Sequence, residues 1–105
     1  MRGPESRLVD KLIKYLKKQG GWWVKIHGGI YQIGGLPDII GCWRGQFYGI
    51  EVKTPKAYAK SGHNLTARQE AVLERISREG GVAGAVSSQD QLNALMKERV
   101  NNGGD

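Results

Sequence analysis

Two apolar segments separated by a glycine-containing turn constrain the fold of this chain most strongly. Residues 38–43 are Asp-Ile-Ile-Gly-Cys-Trp, and residues 47–53 are Phe-Tyr-Gly-Ile-Glu-Val-Lys. Both segments are rich in β-branched and aromatic residues, which favour strands, and Arg44-Gly45 lies between them. The pattern predicts an antiparallel β-hairpin.

The length of the turn decides which side chains of the hairpin share a face. If Arg44-Gly45 is a two-residue turn, Asp38 lies directly opposite Glu51, with Cβ atoms about 4.5–5.5 Å apart. Lys53 then lies on the same face, because side chains alternate along a strand. A turn at Gly45-Gln46 would shift the pairing by two residues and keep this arrangement. A three-residue loop would place Asp38 on the other face.

Asp38, Glu51 and Lys53 on one face form a candidate metal-dependent site. Two carboxylates this close repel each other, and one stays protonated near neutral pH unless a cation binds. Oxygen ligands suit Mg²⁺ or Mn²⁺, which can acidify a water and offset charge on a phosphate, while Lys53 adds a second positive charge. The alternative is a surface hairpin whose charges are simply solvated. Because both faces also carry apolar residues, we favour a buried hairpin and a catalytic site.

Glycine and proline positions divide the rest of the chain into further elements. In chain order we predict a helix over residues 4–19, a strand over 22–27, the hairpin, a helix from Thr66 to Gly80, a strand over 82–86 and a helix from Ser88, with residues 101–105 as a frayed tail. The order α-β-β-β-α-β-α predicts one domain over residues 1–105. Its class is α/β, in the form of an α+β mixed sheet with helices on both faces.

Two polar residues near the predicted helix starts are further candidates for the site. Glu5 lies one turn before Val9 and extends the apolar stripe of the first helix, which makes it a candidate third metal ligand. Its alternative role is to stabilise the positive end of the helix dipole. Thr66 and Gln69 form the Thr-x-x-Gln pattern of a capping box, which explains Gln69 without any chemistry.

Three segments together resemble a known family. Gly-Leu-Pro-Asp-Ile-Ile at residues 35–40, Gly-Ile-Glu-Val-Lys-Thr-Pro at 49–55 and Leu-Thr-Ala-Arg-Gln-Glu at 65–70 resemble the PD-(D/E)XK nuclease superfamily. The match looks closest to the VRR-NUC (virus-type replication-repair nuclease) domain and spans about Glu5 to Val86. The resemblance implies a restriction-endonuclease-like core and Mg²⁺- or Mn²⁺-dependent cleavage of DNA. The short stand-alone members resemble Holliday-junction resolvases that act as homodimers.

The resemblance also implies roles for individual residues. Asp38 and Glu51 would hold the metal, together with the backbone carbonyl of Val52, and Lys53 would be the catalytic lysine. Glu5 matches the acid of the family's first helix and would be a metal ligand. Gln69 matches the glutamine of the later helix and would be catalytic as well as a helix cap.

The net charge of +6 favours a polyanionic partner, although many basic proteins share this property. The candidate nucleic-acid-binding residues are His27, Tyr31, Gln32, Lys56, Lys60 and His63. For His27 the alternative is a solvated histidine at a strand end, and for the basic loop after Lys53 it is a solvated charge run.

Cys42 is the only cysteine, which excludes a disulfide framework and a zinc cluster and predicts a small core residue. No apolar run approaches the roughly 18 residues of a membrane span, and no signal pattern is present. The sequence therefore predicts a cytoplasmic protein without an organic cofactor. A viral or mobile-element origin fits the resemblance.

We expect a structure-selective DNA endonuclease, most closely a Holliday-junction resolvase-like enzyme acting as a homodimer on branched DNA. Trp22, Trp23 and the last helix are candidates for the dimer interface. The alternatives are a nuclease of the same core that cuts flaps, duplex DNA or RNA, and a non-catalytic nucleic-acid-binding module. The binding module leaves the Asp38, Glu51 and Lys53 constellation unexplained.

Overall fold

The computed structural model describes residues 3–27, 33–56 and 65–103, and its elements follow the predicted order. The helices are α1 (Pro4–Gln19), α2 (Ala67–Arg78) and α3 (Gln89–Gly103). The strands are β1 (Trp22–Lys25), β2 (Ile39–Trp43), β3 (Gln46–Val52) and β4 (Val82–Val86). These elements form a compact α+β fold.

The strands of the described residues form one mixed sheet in the order β1-β2-β3-β4. Strands β1, β2 and β3 are antiparallel neighbours, whereas β4 lies parallel to β3. A parallel pair needs a crossover connection, and α2 supplies it between β3 and β4. The class predicted from the sequence is therefore confirmed at the level of a mixed α/β sheet.

Of the turns that the sequence left open, the hairpin has the two-residue turn at Arg44-Gly45. Ile39 pairs with Ile50 and Trp43 with Gln46, so that Arg44 and Gly45 alone form the turn. Their φ angles are 52° and 78°, and positive values at both positions are typical of a type I′ turn. The Arg44 guanidinium lies 4.5 Å from the centre of the Trp43 ring, a cation–π contact that helps to hold this turn.

One face of the sheet packs against α1 and α3 and forms the main core. Val9, Leu12 and Leu16 are the buried stripe of α1, as predicted. From α3, Leu92 and Met96 join the same cluster, and Tyr15 of α1 donates a 3.1 Å hydrogen bond to Asn93 Oδ1. The sheet contributes the following buried residues: Trp23, Ile39, Tyr48, Ile50, Val52, Val82 and Val86.

The other face of the sheet carries Gly49 and Glu51 and packs against α2. An added Cβ on Gly49 would lie 2.6 Å from Ile76 Cδ1 of α2 and 3.1 Å from Pro37 Cγ. Side chains alternate along a strand, so Gly49 and Glu51 face away from the core residues Ile50 and Val52. Helices therefore lie on both faces, and Glu51 lies on the face that α2 covers.

Burial differs from the prediction at two residues. Cys42 is exposed rather than a core residue. It pairs with Trp22 on one side and Phe47 on the other, and those two side chains are 61% and 45% exposed. We call Trp22, Cys42 and Phe47 the apolar row. The apolar row crosses the sheet near the hairpin turn. It lies closer to this turn than Gly49, the position at which α2 covers the sheet.

Trp23 was wrong as an interface candidate, because it is only 4% exposed. Its ring packs edge-on against Tyr48 with centroids 5.4 Å apart, and its indole N–H donates to the Gly20 carbonyl at 2.8 Å. Both partners belong to the protein's own fold, so the Trp23 side chain is not accessible to another molecule.

The ends of strand β1 and helix α3 also differ from the prediction. Strand β1 ends at Lys25 rather than His27, although the Ile26 N–H still donates to the Asp38 carbonyl at 2.8 Å. Helix α3 continues to Gly103, so residues 101–103 are helical instead of part of a frayed tail. Residues 104 and 105 lie outside the described part. No helix in the described residues combines the length and apolar character needed to cross a membrane.

Candidate functional site

Three carboxylates from distant parts of the sequence meet at the open end of the hairpin. Glu5 lies in the first turn of α1, Asp38 directly precedes β2, and Glu51 lies in β3. Each offers one oxygen, and these oxygens lie within 4.8 Å of one another. Burial increases from the exposed Glu5 through Asp38 to Glu51, which is 3% exposed. The cluster is therefore open to solvent from the side of Glu5.

Two backbone contacts hold Asp38 in the cluster. Its carbonyl accepts the Ile26 N–H, and its Oδ2 accepts the Val52 N–H at 2.8 Å. Successive N–H groups of a strand point to opposite sides, and accordingly the Lys53 N–H donates to Val86 of β4 at 2.9 Å. Strand β2 begins only at Ile39, so no backbone carbonyl of β2 pairs with the Val52 N–H. The Asp38 carboxylate accepts this N–H instead.

Glu51 is the buried centre of the site. Its Oε2 accepts a 3.1 Å hydrogen bond from Gln69 Nε2 and lies 3.7 Å from Lys53 Nζ. Burial, the neighbouring Asp38 carboxylate with its side-chain hydrogen bond, and Glu5 together raise the pKa of Glu51 to about 8. The Lys53 ammonium lowers this pKa but does not outweigh the other effects. Glu51 therefore holds a proton near neutral pH when no cation is present.

Glu5 and Lys53 complete the charge pattern of the cluster. Partial burial and the nearby Asp38 raise the pKa of Glu5 above its ordinary value, and Lys53 opposes this shift. The Lys53 side chain is 15% exposed, so its ammonium is within the cluster rather than in bulk solvent. The structure brings Asp38, Glu51 and Lys53 together, and the catalytic roles expected for them stay predictions.

Gln69 is both a helix cap and a neighbour of the carboxylates. Its Oε1 accepts the Thr66 N–H at 3.0 Å, and its own N–H donates to Thr66 Oγ1 at 3.1 Å. These two bonds form the predicted capping box of α2. Because the amide oxygen is bound to Thr66, the amide nitrogen is the end that donates to Glu51. The two roles considered for Gln69 are thus compatible.

The donor set of the cluster fits a hard divalent cation. All three donors are carboxylate oxygens, which such ions prefer. Opposite ligands of an octahedral Mg²⁺ with bonds of 2.0–2.1 Å lie about 4.2 Å apart. An upper limit of 4.8 Å between the three oxygens is therefore close enough to bind a metal ion after a small side-chain shift or through one bridging water.

The remaining predicted residues are not part of this cluster as described. His27 and Lys56 are both exposed, and neither contacts the three carboxylates in the described part of the chain. Tyr31, Gln32, Lys60 and His63 lie outside the described residues. The Val52 carbonyl as a metal ligand stays a prediction, since the contact seen at Val52 is that of its N–H with Asp38.

Neither a scan against protein-family models nor a search of curated proteins gave a match. The family resemblance noted from the sequence therefore stays a prediction.

Sequence reasoning missed one residue beside the site. Arg68, treated only as part of a helix start, lies against Gly34 and Gly35 on the path that leads to Asp38. The sequence offered two signals, the position of Arg68 next to Gln69 and the pair of glycines before Leu36. Neither signal reveals that the start of α2 contacts these glycines.

The raised pKa of Glu51 predicts that the metal-free protein becomes less stable as the pH rises from about 4.5 to about 8. In this range the folded state keeps a proton that the unfolded chain releases, so the free energy of unfolding falls with pH. The total loss should be on the order of a few kcal/mol. Urea unfolding in EDTA across this pH range measures it. Glu51→Gln cannot titrate and should give a shallower fall; equal slopes for both proteins would contradict the shift.

Gln69→Glu separates the cap from the contact with Glu51. A glutamate also completes a capping box, but at alkaline pH it places a fourth negative charge beside Glu51 instead of an N–H donor. We expect a loss of unfolding free energy in EDTA near pH 8 and little loss near pH 5. Thr66→Ala is the control, because it removes the cap at a cost of about 1 kcal/mol at either pH. The same pH dependence in both variants would show that Gln69 acts only as a cap.

Proposed function

We propose that the protein is a metal-dependent nuclease of the PD-(D/E)XK superfamily, with a restriction-endonuclease-like core and a VRR-NUC-type site. The observation that carries this proposal is the convergence of Glu5, Asp38 and Glu51 with Lys53 and Gln69. Isolated acidic clusters are common on protein surfaces. Here, however, the central carboxyl is buried, and it is contacted by both a lysine and an amide donor. The element order and the two-residue turn add support.

The three carboxylates would hold the cation, which we propose to be Mg²⁺ or Mn²⁺. When bound, such an ion lowers the pKa of a water and offsets negative charge on a phosphodiester. Asp38 is held ready for this role, because its other oxygen and its carbonyl are fixed by backbone N–H groups. Glu5, the exposed member, leaves an open side through which a phosphate can approach.

The two oxygens of Glu51 have different surroundings. Oε2 receives the Gln69 N–H and faces the Lys53 ammonium, so Oε1 is the oxygen left for a cation. Gln69 therefore acts on the orientation of Glu51. Lys53 carries a positive charge that can bind a phosphate oxygen or orient the attacking water. The oxygens that would bind the cation and the ammonium that would bind the phosphate lie within a few ångströms of one another.

The substrate that we propose is DNA, most closely branched DNA of the Holliday-junction type. The net charge of +6 favours a polyanion, and the open side of the cluster suits a backbone phosphate. Flap, duplex and RNA substrates remain the alternatives within the same chemistry. A non-catalytic nucleic-acid-binding module is the second candidate, and the charge supports it equally.

Cleavage assays distinguish these possibilities. Labelled four-way junction, flap, duplex and single-stranded DNA and RNA would be incubated with Mg²⁺, Mn²⁺ or EDTA. We expect metal-dependent cutting of the junction that falls on the order of 10²-fold or more in Lys53→Ala, which loses a charge beside the phosphate. Asp38→Asn should cut as poorly while binding DNA at least as tightly, because a repulsive charge is removed.

Each result of this assay has a definite meaning. Paired symmetric nicks in the junction alone would support a resolvase, and cutting of other substrates would keep the nuclease but not that specificity. Wild-type cleavage by Asp38→Asn with the same metal would refute the role of Asp38. Tight binding without cutting in any metal would favour the binding module.

We also propose a homodimer. Two symmetric cuts across a junction need two sites, which a two-fold dimer supplies. The apolar row supports a self-contact, since it continues into a groove lined by Val72 and Ile76. Exposed apolar surface of this kind is typical of interfaces.

Sedimentation at micromolar concentration should show a dimer that Phe47→Lys converts to monomer. Cys42, within the apolar row, provides a second measurement, because a short bifunctional maleimide should link two copies through their single thiols. Cys42→Ser should dimerise without linking. A wild-type protein that sediments only as a monomer would contradict the proposal, and a dimer unaffected by Phe47→Lys would move the interface elsewhere.

A further inference from the structure

The Arg68 side chain extends across the two glycines that lead into the site. An added Cβ on Gly34 would lie 2.8 Å from Arg68 Cδ and 3.3 Å from Cζ. An added Cβ on Gly35 would lie 2.7 Å from Arg68 Cγ and 2.8 Å from the Arg68 carbonyl oxygen. These distances are shorter than ordinary contacts, so only glycine at both positions lets the arginine lie in this place.

This place is at the rim of the carboxylate cluster. Arg68 directly precedes Gln69, whose amide contacts Glu51. Gly35 lies three residues before Asp38, a separation of at most about 10 Å for an extended chain. Arg68 is thus tied to the site through α2 on one side and through the chain before β2 on the other.

Arg68 also differs in charge environment from the other arginines of α2. Arg75 and Arg78 each form an ion pair with a glutamate one turn away, to Glu79 and Glu74 respectively. Arg68 is an exposed residue, and within residues 3–27, 33–56 and 65–103 it forms no ion pair with an acidic side chain. Its five N–H donors are therefore available to a ligand.

We propose that Arg68 binds a backbone phosphate of the nucleic acid, next to the phosphate that is cleaved. This inference rests on the proposed function and adds a substrate-binding residue to it. Three carboxylates repel a phosphodiester, and Lys53 already faces Glu51, so a second cation at the rim is needed to hold the strand. A guanidinium suits this task because its fork can bind two phosphate oxygens at once.

The contact would position the strand and would not read its sequence. The guanidinium lies against Gly34, four residues before Asp38, a separation of at most about 14 Å for an extended chain. Because nucleotides along one strand rise by about 3.4 Å, it reaches only the few phosphates nearest the cut. Arginine contacts to phosphate fix register on the duplex and carry no base information. Gly34 and Gly35 would affect DNA binding only indirectly, because the Arg68 side chain packs against them.

Salt-dependent binding measures this contact directly. Fluorescent four-way junction DNA would be titrated with the protein in EDTA at several salt concentrations. Arg68→Ala should bind about tenfold more weakly, and the slope of log K against log salt should decrease in size by about 0.9, the value for one phosphate contact. Arg78→Ala is the matched control, since it removes the same charge from the same helix about 15 Å further along. It should leave the slope unchanged.

Gly34→Ala supplies an independent test on the other side of the contact. Its φ is not in the left-handed region, so alanine fits the backbone, but the new Cβ displaces the movable end of Arg68. We expect weaker binding from Gly34→Ala alone and no further weakening when it is added to Arg68→Ala. Additive effects of the two substitutions would show that Gly34 does not act through Arg68 and would overturn that part of the inference.

The inference and the proposed function fail in different ways. If the wild-type protein cuts DNA with Mg²⁺ but Arg68→Ala has the affinity and salt slope of Arg78→Ala, the role of Arg68 is refuted and the nuclease stands. If no metal supports cutting but Arg68→Ala still loses one unit of slope, the nuclease is refuted and the phosphate contact stands.

Discussion

The pairing register of the hairpin determines the geometry of the whole site. The Arg44-Gly45 turn aligns Ile39 with Ile50, and the next pair in this register is Asp38 and Glu51. A shift of one residue would move every side chain of β2 or β3 to the opposite face, which would expose Ile50 and bury charge in the core. The same constraint therefore forms the main core and brings the two acids together.

The charged cluster is held in place by groups that have structural roles of their own. Glu51 is flanked by Ile50 and Val52, whose burial on the opposite face stabilises the strand that carries it. Gln69 caps α2 while it contacts Glu51, and the Val52 N–H belongs to the last residue of β3 while it binds Asp38. The repulsion among the acids is thus opposed by hydrogen bonds that the fold would contain in any case.

Features set by local pattern were predictable from the sequence, and those set by distant contacts were not. The hairpin and the stripe of α1 depend on neighbouring residues, so alternation and glycine positions were sufficient. The choice among the possible turns, and with it the register, came from the structure. The exposure of Cys42 and the burial of Trp23 depend on how far helices extend across each face, which no local pattern encodes. The contact of Arg68 with Gly34 joins residues far apart in sequence and was found only in the structure. The family resemblance assigned Gln69 to the site and the spacing alone predicted a cap, whereas its contact with Glu51 was found only in the structure.

The position of Glu5 in the cluster has a consequence for when the site forms during folding. Glu5 reaches Asp38 and Glu51 only after α1 has docked on the sheet, and α1 is in turn joined to the C-terminal helix by the bond from Tyr15 to Asn93. Contacts of such wide sequence separation form late, after long loops have closed. A chain in which α1 has not yet docked on the sheet would hold the individual acids without the assembled cluster. The site could then carry out chemistry only after the chain has folded completely.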